Sequence, residues 1–129
     1  MTGNVVPESN FLKANNLEND GYYSEAIKVY SELVKYSNDP RHWIAYGGCL
    51  QKLKHWKQSV IALEKGIALK PHYCEGDARL LLADSYMMVG DKNKAIAQWK
   101  ICSEMEPEYP SYEQVMEIAK KNLAINVNR

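Results

Sequence analysis

The sequence predicts an all-α fold: a solenoid of three helix–turn–helix repeats closed by a C-terminal helix, about seven helices in all. Three observations lead there. First, the chain repeats itself. YYSEAIKVYSEL, HWKQSVIALEKG and DKNKAIAQWKIC superpose with Ala26, Ser59 and Ala95 in register and with Tyr30, Leu63 and Trp99 four residues further on. Second, the half-repeat before each agrees: Ala14, Gly47 and Ala83 keep the same spacings of 33 and 36 residues. Third, Pro40, Pro71 and Pro107 recur near the end of each unit, and proline cannot continue a helix. A period in this range marks a stacked array, in which no repeat buries its apolar face alone.

In chain order, the pattern predicts helices at 8–19, 23–36, 40–53, 57–69, 75–89, 92–105 and 111–125. They form a single domain from 8 to 126, with repeats at about 8–39, 40–73 and 74–109, after a flexible segment at 1–7. Asp20-Gly21 and Gly90-Asp91 mark the turns inside repeats one and three. Repeat two has Lys54-His55 there, without glycine. The small residues let paired helices approach, and Tyr30, Leu63 and Trp99 fill the gap toward the next repeat. Gly66 costs its helix about 1 kcal/mol relative to alanine, so close packing is expected there. Gly47-Gly48 is read in the same way rather than as a phosphate loop. Pro71 to Gly76 is the longer connection. Ser111 with Gln114 fits a capping box for the last helix. Tyr112, Val115, Met116, Ala119 and Leu123 give that helix an apolar stripe suited to covering the end of the array.

These residues resemble the tetratricopeptide-repeat (TPR) family, whose pattern is W-x2-L-G-x2-Y, then A-x3-F, then P, over about 34 residues. The second repeat supplies Trp43, Tyr46, Gly47, Leu50, Ser59, Leu63 and Pro71. The third supplies Arg79, Leu82, Ala83, Tyr86, Ala95, Trp99 and Pro107. The first is degenerate: Asn10, Lys13, Ala14 and Leu17 precede Ala26 and Tyr30, and Pro40 falls two residues late. The resemblance covers about Glu8 to Pro107. It implies a right-handed α-helical solenoid whose leading helices form a concave, protein-binding face.

Composition narrows the function. With 129 residues and 46% apolar content, the chain is one ordinary domain. Sixteen basic residues balance sixteen acidic ones, unlike an electrostatic binder of nucleic acid or of anionic lipid. No apolar run approaches the roughly 20 residues that span a bilayer. The polar start lacks a signal-peptide pattern, so a cytoplasmic location is expected. Cys49, Cys74 and Cys102 form no CxxC pair, and His42, His55 and His72 form no HExxH. No metal, cofactor or catalytic site is therefore expected. Cys49 and His55 lie six residues apart, on different helix faces, and do not make a dyad. Cys49 and Cys102 suit buried thiols, while Cys74 falls in a loop.

The resemblance places Phe11, Asn15, Ile44, Gly48, Gln51, Lys52, Leu80, Asp84, Met87 and Met88 on the concave face. For Leu80, Met87 and Met88, packing against neighbouring helices is the alternative reading. The family's carboxylate clamp would fall on Phe11, Asn15, Ala45, Asp77 and Leu81. Only Asn15 matches, and Asp77 has the wrong charge to grip a carboxylate. A more apolar groove suits an amphipathic helix or an extended peptide. The expected role is a non-catalytic adaptor or scaffold that binds another protein. Self-association into a homo-oligomer through the repeat ends is the alternative.

Overall fold

The computed structural model describes residues 7–106 and 110–127, and every element among them is α-helical. The helices are α1 (Pro7–Asn19), α2 (Tyr23–Val34), α3 (Pro40–Lys52), α4 (Trp56–Ala68), α5 (Glu75–Met88), α6 (Lys92–Ser103) and α7 (Pro110–Val127). Their ends fall within two residues of those expected from the repeat. The N-terminal segment as far as residue 6, and Pro107, lie outside the described residues. Pro7, assigned to that segment from the sequence, opens α1 instead.

Local chemistry sets the boundaries. The Asp39 carboxylate accepts a hydrogen bond from the Arg41 backbone N–H at 2.9 Å, ahead of Pro40 in the first position of α3. Asp91 caps α6 through the Lys94 N–H at 3.4 Å. The capping box expected at Ser111 does not form, because α7 begins one residue earlier. Pro110 takes the first helical position, so Ser111 lies inside the first turn. Between paired helices, Gly21, Lys54 and Gly90 occupy equivalent positions with φ of 86°, 61° and 87°. Glycine enters that left-handed region without strain, whereas a lysine gives up about 1 kcal/mol or more there.

Each trailing helix (α2, α4, α6) packs between its own leading helix and the next one. The leading helices touch their successors, α1 with α3, α3 with α5 and α5 with α7, while the trailing helices do not touch one another among the described residues. The leading layer is thus the crowded, inner side of the curve, and the trailing layer splays outward.

The repeat positions form the core. Ala14, Ala26, Tyr30, Leu63, Ala83 and Ala95 are fully buried, and Trp99 nearly so. A β-carbon on Gly66 would lie 2.8 Å from Ile44 Cγ1, and one on Gly76 would lie 3.0 Å from Val115 Cγ1. Both glycines are therefore sites of close helix approach. Gly48 is not: its β-carbon would meet only Leu81 Cδ1, at an ordinary 3.9 Å. On α7, Tyr112, Val115 and Ala119 are buried, and Val115 and Ala119 join Trp99 and Cys102 in one apolar cluster. The Tyr112 hydroxyl donates to the His72 carbonyl at 2.6 Å, fastening the covering helix to the connection after α4.

Candidate functional site

The same spacings of 33 and 36 residues lay three rows along the inner layer. Phe11, Ile44 and Leu80 make an apolar row. Asn15, Gly48 and Asp84 make a second, small and polar. Glu18, Gln51 and Met87 make a third. Leading helices α1, α3 and α5 each contribute one residue to each row.

Much of this surface is tied down by bonds between helices. The Tyr30 hydroxyl lies 2.6 Å from Asn15 Oδ1 and 2.8 Å from Glu18 Oε1, so its single proton serves one of the two at a time. Glu18 also accepts from Lys52 Nζ at 2.7 Å, joining the first repeat to the second. Gln51 Nε2 donates to the Leu81 carbonyl and to Ser85 Oγ, both at 2.7 Å, joining the second to the third. Desolvation, reinforced by the Glu18 carboxylate, raises the Tyr30 phenol far above its usual range, so it stays protonated as a donor.

The apolar row is half-buried. Phe11 packs against His42 with the ring centroids 4.7 Å apart and the planes tilted by 51°, and lies 5.3 Å beneath the Arg41 guanidinium. Ile44 lies over the close approach to Gly66. Leu80 and Met87 pack against the main core cluster. Met88, at the end of α5, is 57% exposed.

Asp84 differs from the rest. Its side chain remains open to solvent, yet the surrounding protein raises its carboxyl above the ordinary aspartate range. Among the described residues it has no hydrogen-bond or ion-pair partner. Gly48, at the equivalent position in the second repeat, has room for a β-carbon, which would meet only Leu81 Cδ1 at 3.9 Å.

Sequence reasoning missed Glu18, although the repeat places it level with Gln51. It also missed Arg41, which bridges Asp39 at 2.7 Å and Glu8 at 3.3 Å near Phe11. Burial pushes the Cys49 and Cys102 thiols up to about 11, far from nucleophilic use at neutral pH. No group of three or more His, Cys, Asp or Glu among the described residues could hold a metal ion. Nor is any helix among them long and apolar enough to cross a membrane.

The profile of the tetratricopeptide repeat matches residues 7–40. No curated protein sequence matches the chain. Several solved structures share the whole fold. The Yersinia enterocolitica type III secretion translocator chaperone SycD superposes with a TM-score of 0.79 at 18% identity, covering 92% of this chain and 88% of SycD. PcrH in complex with the chaperone-binding region of PopD gives a TM-score of 0.85 at 20% identity, covering 95% and 91%. MamA gives 0.74 at 19% identity, covering 94% and 70%. At such identities the likeness is one of fold.

Proposed function

Starting from a chain that belongs to the tetratricopeptide repeats, we propose a non-catalytic interaction module whose inner face binds a peptide or helix of a partner protein. Asp84 carries this reading. A carboxylate on the leading-helix row, exposed to water, partly desolvated by its surroundings and with no partner among the described residues, favours a ligand that brings a cation or an N–H donor. Half-buried Leu80 and Met87 flank it on the same helix and together offer an apolar seat. The ligand that fits is an apolar segment carrying a lysine or arginine. The structure of PcrH with the chaperone-binding region of PopD supports the reading by analogy, since that protein of similar fold holds a partner segment.

Self-association through the repeat ends has less support, because α7 already covers the third repeat with Tyr112, Val115 and Ala119. Screening a displayed random-peptide library against the protein tests the proposal. Enriched peptides should pair apolar residues with a basic one and should lose binding to Asp84→Lys. No enrichment of basic, apolar peptides, or basic peptides that bind Asp84→Lys equally well, would overturn it.

A further inference from the structure

A second groove lies away from the inner face, at the edge where the intra-repeat turns sit. It runs between the start of α4 and the end of α5 as two adjoining cavities of about 460 Å³ and about 380 Å³, which share Lys57 and Val89. Met88 and Val89 are exposed in it, and Trp56 and Val60 are half-buried. Lys54, Lys57 and Lys94 line it, with Asp91 the sole acid among the described lining residues. Asp91 is occupied, since it caps α6 and lies 3.6 Å from Lys94 Nζ. Lys54 and Lys57 have no ion-pair partner among the described residues. In a chain of zero net charge, this gathers uncompensated positive charge on an apolar trough.

Lys54 adds an independent observation. It holds the left-handed turn position that glycine fills in the other two repeats. Residues kept in such conformations against their preference concentrate at functional sites.

We propose that this trough binds an acidic, apolar segment of a partner protein: its apolar side chains against Met88, Val89 and Trp56, its carboxylates on Lys54 and Lys57. The contact is separate from the inner face, whose unpaired group is an acid. Charge complementarity selects the occupant, and the apolar floor distinguishes it from a bare polyanion.

The probe is a short fluorescein-labelled peptide of leucines flanked by glutamates, followed by anisotropy. The protein should bind it, less tightly as salt rises. Lys54→Glu combined with Lys57→Glu should weaken binding roughly tenfold or more, the effect of removing charged contacts, and Met88→Ser should weaken it too. Lys54→Gly separates binding from folding: it relieves the turn and should raise Tm while lowering affinity. Four results would each overturn the proposal. They are no binding, equal binding of polyglutamate, unchanged affinity in Lys54→Gly, and a dimer that the paired Glu substitutions dissociate, which would make the occupant a second copy. Loss of binding in Asp84→Lys would also overturn it, by placing the peptide on the inner face.

Discussion

A β-carbon built on Gly47 would lie 2.6 Å from Leu63 Cγ and 2.8 Å from its Cδ2. Leu63 is fully buried and fills the gap toward the third repeat, so it has nowhere to retreat. The adjacent Gly48 meets nothing closer than 3.9 Å. Neighbouring glycines in one helix therefore call for opposite results. Gly47→Ala should destabilise the fold by about 1–3 kcal/mol through overpacking. Gly48→Ala should stabilise it by roughly 0.5–1 kcal/mol, because alanine restricts the unfolded chain and suits a helix. Chemical denaturation of the two variants measures both signs. Equal effects would contradict this packing.

A buried hydrogen-bond relay locks the second repeat to the third. Gln51 Nε2 donates to Ser85 Oγ at 2.7 Å, Ser85 Oγ donates to Ser59 Oγ at 3.0 Å, and Ser59 Oγ donates to the Gly47 carbonyl at 2.9 Å. Both hydroxyls are completely buried. Ser59→Ala fits sterically, since alanine holds this position in the other repeats, but it strips Ser85 of its acceptor. An orphaned buried hydroxyl costs about 1–3 kcal/mol. Replacing Ser85 as well removes the orphan, so the double variant should lose less than the sum of the single losses. A double-mutant cycle by urea denaturation reads the coupling, and strict additivity would mean that no relay exists.

The repeat made the architecture legible from sequence, because small and large residues at fixed offsets encode which helix faces meet. Ala14, Gly47 and Ala83 all proved to be contact points for that reason. Gly48 misled, since a glycine pair carries no sign of which member faces the neighbouring helix. Ser111 misled because a proline before it can open a helix by itself. The inner face was only partly legible. The spacing placed Asn15, Gln51 and Lys52 on the leading helices, but whether each side chain points into the groove or bonds to the next repeat depends on a distant partner such as Glu18 or Ser85. The left-handed conformation of Lys54 could be inferred from its alignment with Gly21 and Gly90. The trough beside it could not, because Met88 and Val89 approach Trp56 and Lys57 only after the third repeat has stacked.

His42 makes stability pH-dependent. Its ring is buried against Phe11, with Nδ1 2.7 Å from Ser37 Oγ and Nε2 3.6 Å from the Asp39 carboxylate, too far for a hydrogen bond. Burial lowers its pKa, opposed by Asp39 and Glu8 and aided by the Arg41 charge. The unfolded chain, near the ordinary value of about 6.5, therefore takes up the proton first. The contribution of neutral His42 is complete above that value and is lost as pH falls from it toward the depressed folded pKa. Melting temperature followed from pH 8 to pH 5 should drop more steeply for the natural chain than for His42→Gln. Parallel curves would show that the ring does not titrate differently on folding.

The covering helix supplies the most stringent test of the array. Val115 is nearly fully buried, in the cluster with Trp99, Cys102 and Ala119, and its Cγ1 lies close over Gly76. Ile118, on the same helix three residues away, is 40% exposed. If α7 exists to close the third repeat, these neighbours differ sharply in weight. Val115→Ala should cost roughly 2 kcal/mol, combining lost burial with the cavity left behind. Ile118→Ala should stay within about 0.5 kcal/mol, as for an ordinary surface change. Removing residues 110–129 goes further, since Tyr112 and Val115 leave with the helix and each large buried apolar side chain is worth about 1.5–3 kcal/mol. Against a total stability of about 5–15 kcal/mol, that loss, together with newly exposed Trp99, should abolish cooperative melting or cause aggregation. Equal losses from Val115→Ala and Ile118→Ala would place the buried face of α7 elsewhere. A truncated chain that melts like the full one would mean that the three repeats close themselves without it.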